Sequence, residues 1–257
     1  MSVTIKSEHE IELMRESCRL LAIVHDEIRK MIEPGITTLE LDKKAYHMIT
    51  KDFGCKPNFL HLYGFPYTIC TSVNDQVVHG FPSADVRLKE GDIISVDMGL
   101  IYKGYHSDAA RTWGVGEISP GDQKLIDVTK QSFFEGIKFA RAGNHLHDIS
   151  AAVQAYAESF GFGVVRDMVG HGIGTVLHED PQVPNFRDRG MGRGIRLRPG
   201  MTLCVEPMIN AGTWEVEIDG WKCVTQDGKK SAHYENTIVI TEGDPEILTL
   251  YRDGREV

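Results

Sequence analysis

The 257-residue chain lacks the features by which membrane, disulfide-rich and nucleic-acid-binding proteins are usually recognised. No segment approaches the roughly 18 apolar residues that a membrane-spanning helix needs, and the N-terminus has no apolar core of a signal peptide. The 5 cysteines are odd in number and form no C-x-x-C pair, which is typical of a reduced, cytoplasmic protein. The net charge of −9 argues against binding nucleic acid or an anionic membrane through bulk charge.

The composition that remains is that of an ordinary globular protein. Hydrophobic residues make up 41% of the chain, so a chain of this length can bury a sizeable core. No low-complexity segment or obvious linker divides it. We therefore expect a single domain over residues 1–257.

An internal repeat is the most informative feature that is present. Residues 88–97 and 197–206 share Leu, Gly, Val and a terminal acid at one offset of 109 residues. The acid is Asp97 in the first copy and Glu206 in the second, and each ends an apolar run. A carboxylate in such a place is costly unless another group compensates its charge.

Matching segments flank both copies in the same order. A His-Gly pair precedes each copy, at His79 and at His171. A His-x-acid triplet follows each copy, at 106–108 and at 233–235. Because three chemical groups recur in one order, the sequence favours a duplicated unit over chance similarity.

Helix and strand signals give both halves the same plan of two helices followed by strands. Ser7 and Glu10 form a capping-box pattern that begins a helix, and Pro34 should end it. The predicted helices occupy about residues 8–33, 37–54, 120–141 and 146–160. The main predicted strands occupy about residues 93–98, 105–113, 164–170, 201–206 and 234–241. We expect an α+β fold with halves at about residues 5–115 and 116–245.

Asp97 and Asp108 lie on two apolar strands that are separated by a short turn. If the turn residues are Tyr102 and Lys103, the two aspartates face each other directly; if they are Lys103 and Gly104, the aspartates are diagonal neighbours on one face. Either register brings two carboxylates within several ångströms on a buried surface. Their repulsion should raise one pKa unless a cation or a shared proton relieves it.

The acids of both halves suggest a metal centre. Asp97, Asp108, Glu206 and Glu235 carry four negative charges, which two divalent cations would balance. Ligation by oxygen with one imidazole suits Mn, Fe, Co or Mg better than a structural zinc site. Two such ions can generate a water nucleophile and polarise a carbonyl, and aminopeptidases are among the known examples. Unligated histidines would then handle protons or stabilise an oxyanion.

The sequence resembles the type I methionine aminopeptidases, bacterial-style short form, of the pita-bread metallopeptidase family. The resemblance rests on five ligand-type residues in order, on Asn74-Asp-Gln-Val-Val-His79-Gly, on Val169-Gly-His171-Gly-Ile-Gly and on His233-Tyr-Glu235-Asn-Thr. It covers the chain from Ile5 to about Ile240. The implied fold has two pseudo-symmetric halves around a curved antiparallel sheet.

The resemblance also implies a role for each site residue. Asp97 would hold one metal ion, His171 and Glu206 would hold the second, and Asp108 and Glu235 would bridge them. His79 and His178 would contact the substrate, and Glu206 would also shuttle the proton. The two ions could be Mn, Fe(II), Co or Zn. The family's methionine pocket would be lined here by Phe59, Leu62, Phe65, Cys70, Leu177 and Trp221.

The implied activity is removal of the initiator methionine from nascent chains, with a small second residue preferred. The resemblance further implies a cytoplasmic monomer with no nucleic-acid or membrane partner, and the nascent-chain substrate suggests association with the ribosome. The alternative enzymes are the prolidases and Xaa-Pro aminopeptidases, whose additional N-terminal domain has no counterpart in this sequence, which argues against them. A non-catalytic pita-bread binding protein is the alternative of another class, which metal analysis would distinguish.

Overall fold

The computed structural model describes residues 3–250 of the chain. Its α-helices are α1 (Glu8–Met31), α2 (Thr38–His47), α3 (Pro120–Ile137) and α4 (Leu146–Ser159). A π-helical turn, Met48–Asp52, continues α2, and a 3₁₀ turn covers Leu62–Gly64. The strands are β1 (Lys56–Pro57), β2 (Ile69–Val73), β3 (Gln76–Val78), β4 (Ile93–Tyr102), β5 (Tyr105–Gly114), β6 (Gly163–Val164), β7 (Gly170–Gly172), β8 (Glu179–Val183), β9 (Thr202–Val205), β10 (Met208–Asn210), β11 (Val216–Asp219), β12 (Lys222–Thr225), β13 (Ser231–His233), β14 (Glu235–Val239) and β15 (Glu246–Ile247).

The first helix begins where its capping residues predict. The Ser7 side chain accepts a hydrogen bond from the Glu10 amide, and the Glu10 carboxylate accepts one from the Ser7 amide at 2.8 Å. These bonds satisfy amide groups that the first turn of a helix leaves unpaired. Thr37 and Glu40 form the same reciprocal pair at the start of α2. The predicted start of α1, and its end before Pro34, are therefore confirmed.

One large antiparallel sheet connects the two halves of the sequence. Its strand order is β1-β4-β5-β14-β9-β7-β8, with β2 paired to β4 and β15 paired to β14. The first half supplies one side and the second half the other, and they meet where Glu235 pairs with Ala110 and Asn236 with Ala109. This arrangement confirms the predicted α+β fold with an antiparallel sheet.

Separate apolar clusters lie under each half. One packs α1 and α2 against β2, β4 and β5, through residues such as Leu21 and Ile94. Another packs α3 and α4 against β8, β9 and β14, through residues such as Phe133 and Leu203. A third cluster takes members from both halves, including Phe65 and Leu177. Burial of this shared cluster packs residues of both halves against one another.

The prediction of a strand over residues 164–170 is wrong, because that segment leaves one sheet for another. Val164 in β6 pairs with β10 in a three-stranded sheet, whereas Gly170 in β7 pairs with β8 in the large sheet. Residues 165–169 carry no strand. Tyr234 separates β13 from β14 for the same reason, since these two strands also belong to different sheets.

Across residues 3–250, none of the helices has the length and apolar character that a bilayer crossing would require.

Candidate active site

The β4–β5 hairpin places Asp97 and Asp108 as diagonal neighbours. Lys103 and Gly104 adopt φ of 48° and 88° at the turn, the left-handed conformations of a tight two-residue hairpin loop. Tyr102 therefore pairs with Tyr105, so Asp97 lies opposite Ala110 and Asp108 opposite Gly99. The register with Tyr102 and Lys103 at the turn is wrong, and the two carboxylates share one face of the sheet.

The second half brings its ligand-type residues to the same place. β14 carries Glu235 beside β5, and β7 carries His171 beside β9, whose end leads to Glu206. His171 Nε2 lies 3.7 Å from an Asp108 carboxylate oxygen and 3.9 Å from a Glu206 carboxylate oxygen. Ligand atoms of Asp108, His171, Cys204 and Glu235 all lie within 4.8 Å of one another.

Three of these acids have buried carboxylate oxygens without hydrogen-bond partners, namely Asp97 Oδ1, Asp108 Oδ1 and Glu235 Oε1. Burial raises the pKa of Asp97 to about 7, with the Glu206 charge adding to the rise. Burial and the neighbouring carboxylates likewise raise the pKa of Asp108 and of Glu235 well above their usual values. Divalent cations would satisfy these oxygens and neutralise the repulsion, so the residues present fit a metal centre.

Glu206 differs from these three acids. Burial alone would raise its pKa, but His233, His171 and His79 together hold the pKa of Glu206 below its usual value. His233 Nε2 lies 3.4 Å from a Glu206 carboxylate oxygen. Histidines close to a carboxylate favour its charged form, so this acid is kept ionised.

The two His-x-acid triplets made His106 and His233 possible neighbours of the acids, and the structure places His233 beside Glu206. Thr112 fixes the His233 backbone: its hydroxyl donates to the His233 carbonyl and accepts from the His233 amide, both at 2.8 Å. His233 is 2% exposed. His106, its counterpart in the repeat, has no ion pair with a carboxylate among residues 3–250. The repeat therefore supplied both histidines but could not say which one reaches an acid.

Cys204 was missed, because no cysteine takes part in the repeat. It stands two residues before Glu206, and side chains two apart along a strand share a face, which was the available signal. Burial and the nearby Glu235 and Asp108 charges raise the pKa of Cys204 well above its usual value. The thiol is therefore neutral, and it lies 3.6 Å from the Thr237 hydroxyl.

A cavity of about 520 Å³ opens beside the acids. Its lining includes every predicted site residue: Phe59, Leu62, Phe65, Cys70, His79, Asp97, Asp108, His171, Leu177, His178, Glu206, Trp221 and Glu235. Tyr63, Val78, Met168 and Met208 also line it and were not predicted. A second cavity of similar size, beside Arg29 and Arg111, contains none of the predicted ligands.

The two histidines expected to contact substrate each lie against an aromatic ring. The His79 ring meets Trp221 edge-on, with ring centroids 5.7 Å apart. The His178 ring lies against Tyr63, at 5.8 Å, and against the ligand-type His171, at 4.5 Å. Burial lowers the pKa of His79, and burial together with His171 lowers the pKa of His178 to about 4. Both imidazoles are therefore neutral at pH 7 and can each donate and accept a hydrogen bond.

Comparison with known proteins agrees with this arrangement. The model of metallopeptidase family M24 matches residues 12–242. A methionine aminopeptidase from Clostridium perfringens is 52% identical over 97% of this chain and 100% of its own length. The crystal structure of a methionine aminopeptidase from Thermotoga maritima superposes with a TM-score of 0.92 at 44% identity, covering 96% of this chain and 99% of that one.

The alternative enzymes are less similar. An X-Pro aminopeptidase from Thermotoga maritima superposes with a TM-score of 0.75 at 22% identity, and the match covers 95% of this chain but only 62% of that one. That likeness shows a shared fold alone. The chain belongs to metallopeptidase family M24 and, within it, to the bacterial-type methionine aminopeptidases.

Proposed function

We propose that this enzyme removes the initiator methionine from newly made proteins and prefers a small second residue. The observation that carries the proposal is one cavity with two chemically different ends. Buried acids and His171 form one end, and aromatic and aliphatic side chains form the other. A peptide with an N-terminal methionine presents an apolar side chain next to a polar, cleavable amide, which matches both ends.

The apolar end would bind the methionine side chain. Phe59, Phe65 and Leu177 are each at most 8% exposed, and Cys70 is 4% exposed. Leu62 and Trp221 pack against the same cluster. A thioether makes favourable contacts with aromatic rings, so these residues suit methionine better than a charged or branched residue.

The acid end would hold two divalent ions, Mn, Fe(II), Co or Zn. Asp97 would hold one ion, His171 and Glu206 the other, and Asp108 and Glu235 both. When bound, the ions would supply Lewis acidity, which makes water nucleophilic near neutral pH and polarises the scissile carbonyl. The repulsion among the buried carboxylates supports this assignment, since the same charges attract cations.

Glu206 is suited to move the proton. Its carboxylate is held ionised by the neighbouring histidines, so it can accept a proton from the attacking water and deliver it to the leaving amine. The neutral imidazoles of His79 and His178 line the cavity, where either ring can donate to the carbonyl oxygen as negative charge develops.

The preference for a small second residue would follow from the crowded mouth. Tyr63 packs against His178, Trp221 packs against His79, and all four side chains line the cavity. A bulky second side chain would have to pass between these rings. The substrate class points to action in the cytoplasm, on nascent chains near the ribosome, by a monomer.

Peptide hydrolysis tests the proposal directly. Metal-loaded enzyme should release methionine from Met-Ala-Ser faster than leucine from Leu-Ala-Ser, and faster than methionine from Met-Leu-Ser. Asp85→Asn controls for the removal of an acid as such. Asp85 is an exposed acid outside the cavity, so this variant should cleave all three peptides as wild type does. Equal release of leucine and methionine would contradict the substrate assignment, and equal cleavage of both methionine peptides would contradict the second-residue preference.

A further inference from the structure

Tyr63 is a large aromatic residue with no assigned part in the chemical step, and it stands at the mouth of the active-site cavity. Its side chain is 70% exposed. The ring nevertheless lies nearly parallel to that of His178, at an angle of 13°. The Tyr63 phenol oxygen lies 3.4 Å from His178 Nδ1. A solvent-exposed tyrosine that keeps this contact with one imidazole suggests a role for the contact.

The backbone around Tyr63 is held in an unfavourable conformation. His61 and Tyr63 adopt φ of 70° and 50°, the left-handed region that residues other than glycine rarely occupy. Such strain persists only where the surroundings enforce it, and it clusters at functional sites. Here the enforcing contacts are hydrogen bonds from the His61 amide to the Phe65 carbonyl, at 2.7 Å, and from the Leu62 amide to the Phe59 carbonyl, at 2.9 Å.

Those anchors are themselves fixed. Phe65 is 2% exposed and Phe59 is 8% exposed, and their rings meet edge-on with centroids 6.4 Å apart. The loop thus projects Tyr63 from a rigid apolar base. The Tyr63 phenol can therefore hydrogen-bond His178 while Phe59 and Phe65 keep their positions in the pocket.

His178 needs such a partner more than His79 does. Within the described residues, the Tyr63 phenol is the group that hydrogen-bonds a ring nitrogen of His178. His178 is the more solvent-exposed of the two histidines, so its ring orientation depends more on a polar contact of this kind. His79 is more enclosed and lies against Trp221.

We propose that Tyr63 is a positioning residue: its phenol donates a hydrogen bond to His178 Nδ1 and fixes both the orientation and the tautomer of that ring. A neutral imidazole carries one proton, so acceptance at Nδ1 places the proton on Nε2. His178 then offers an Nε2–H donor to the substrate carbonyl oxygen. The proposal rests on the proposed function for its kinetic consequence, but the contact itself can be measured independently of activity.

Nitrogen-15 spectroscopy of the histidine rings in the zinc-loaded enzyme tests the contact. The His178 signals are assigned from their loss in His178→Ala. In wild type, Nδ1 should show the shift of an unprotonated nitrogen and Nε2 that of a protonated one. Tyr63→Phe, which keeps the ring and removes the hydroxyl, should bring the His178 shifts toward the tautomer average of a free imidazole. Wild-type shifts retained in Tyr63→Phe, or a proton found on Nδ1 in wild type, would overturn the proposal.

Kinetics provide the second readout. Tyr63→Phe should lower kcat on Met-Ala-Ser by about fivefold, the size expected for one lost neutral hydrogen bond, and should change KM less than twofold. In a His178→Ala background the same substitution should have no further effect, because the two residues act as a unit. Tyr46→Phe, at another exposed tyrosine, is the control and should match wild type.

Additive losses in the double variant, or an effect confined to KM, would contradict positioning through His178. If wild-type enzyme failed to release methionine while the nitrogen shifts changed as expected, the proposed function would fail and the Tyr63–His178 contact would stand.

Discussion

Asp97 and Glu206 hold equivalent positions in the two halves of the sequence, yet their pKa values move in opposite directions. Burial raises the pKa of Asp97 to about 7, whereas His233 and His171 hold the pKa of Glu206 below its usual value. Both carboxylates end an apolar run and enter the same cavity. The two acids therefore occupy matching positions, and the histidines around each acid decide how far its pKa is held down.

The difference assigns separate tasks to the two acids. An acid with a raised pKa gains from a cation, because the cation relieves its buried charge. An acid held ionised by histidines can accept a proton during the reaction and returns to its charged form before the next turnover. The two halves place the acids alike, but His233 acts on both carboxylates, whereas His171 and His79 act on Glu206, and this makes the two sides chemically different.

Removing an acid shared by both sides should have the largest effect. Asp108 lies between the halves, 3.7 Å from His171, and its pKa is raised by both Asp97 and Glu206. Asp108→Asn should lower metal affinity and kcat/KM by more than about 100-fold. This exceeds the loss that is typical when a residue that only hydrogen-bonds to a ligand is changed. Calorimetric metal titration and peptide hydrolysis measure both quantities. If this variant still bound metal tightly, Asp108 would not hold both metal ions.

The paired histidines of the repeat offer the next comparison. His233→Asn should lower kcat by about 10- to 100-fold, the range for a group that supports a metal ligand, because Glu206 loses a neighbour at 3.4 Å. His106→Asn changes the equivalent residue of the first half and should change kcat far less. Steady-state kinetics of the two variants side by side decide this point. Similar losses in both would show that the environment of Glu206 is not what differs between the halves.

In the metal-free protein, Asp97 and Glu206 should make opposite contributions to the pH dependence of stability. The folded chain favours the protonated form of Asp97, so this carboxyl stabilises the fold at low pH and loses that contribution as the pH rises from about 4 to about 7. The lowered pKa of Glu206 works the other way: its contribution is present above its unfolded pKa and is lost as the pH falls. At pH 7.5, Asp97→Asn should raise the Tm of metal-free protein, and Glu206→Gln should lower it. Each shift should be roughly 2–4 °C for every kcal/mol of change in the free energy of unfolding.

Thermal unfolding with and without chelator measures these shifts. Metal should also stabilise wild type more at pH 7.5 than at pH 5, since cations remove a penalty that is largest when Asp97 is ionised. Shifts of the same sign in Asp97→Asn and Glu206→Gln would contradict the electrostatic difference between the two acids.

The buried thiols should matter least. Cys204, of the second half, lies close to Asp108, His171 and Glu235, and Cys70, of the first half, pairs with Asp97 across β2 and β4. Burial raises the pKa of both thiols well above the usual value, so neither should bind metal as a thiolate. Cys204→Ser and Cys70→Ser should each change metal affinity by less than about 10-fold. A sulfur-to-cobalt charge-transfer band that disappears in Cys204→Ser would show instead that Cys204 is a ligand.

Asp97 and Asp108 could be placed together from the sequence because a short turn separates their strands. Hairpin geometry limited Asp97 and Asp108 to two registers, and only the left-handed turn at Lys103 and Gly104 distinguishes them. The five expected ligands and the pocket residues all reach one cavity. Their separate roles stay predictions, since the positions of side chains alone do not assign them.

The features that escaped prediction depend on non-local contacts. The contact of His233 with Glu206 depends on the pairing of β13 with β10, which sets His233 opposite Met208, and the false strand over residues 164–170 hides a change from one sheet to another. Tyr63 reaches His178 through a loop with left-handed residues that are not glycine, and sequence gives little warning of such conformations. Periodicity describes one strand at a time, so it cannot foresee where a strand changes its partners.

Counting bound metal ions by native mass spectrometry tests the central claim most directly, namely that acids from both halves build one dinuclear centre. The chelated protein should take up two divalent ions as metal is added back. Asp97→Asn should retain one ion, held by the second half, and Asp108→Asn should retain neither under the same conditions. A wild-type protein that saturates with one ion, or an Asp97→Asn variant that still binds two, would contradict the account.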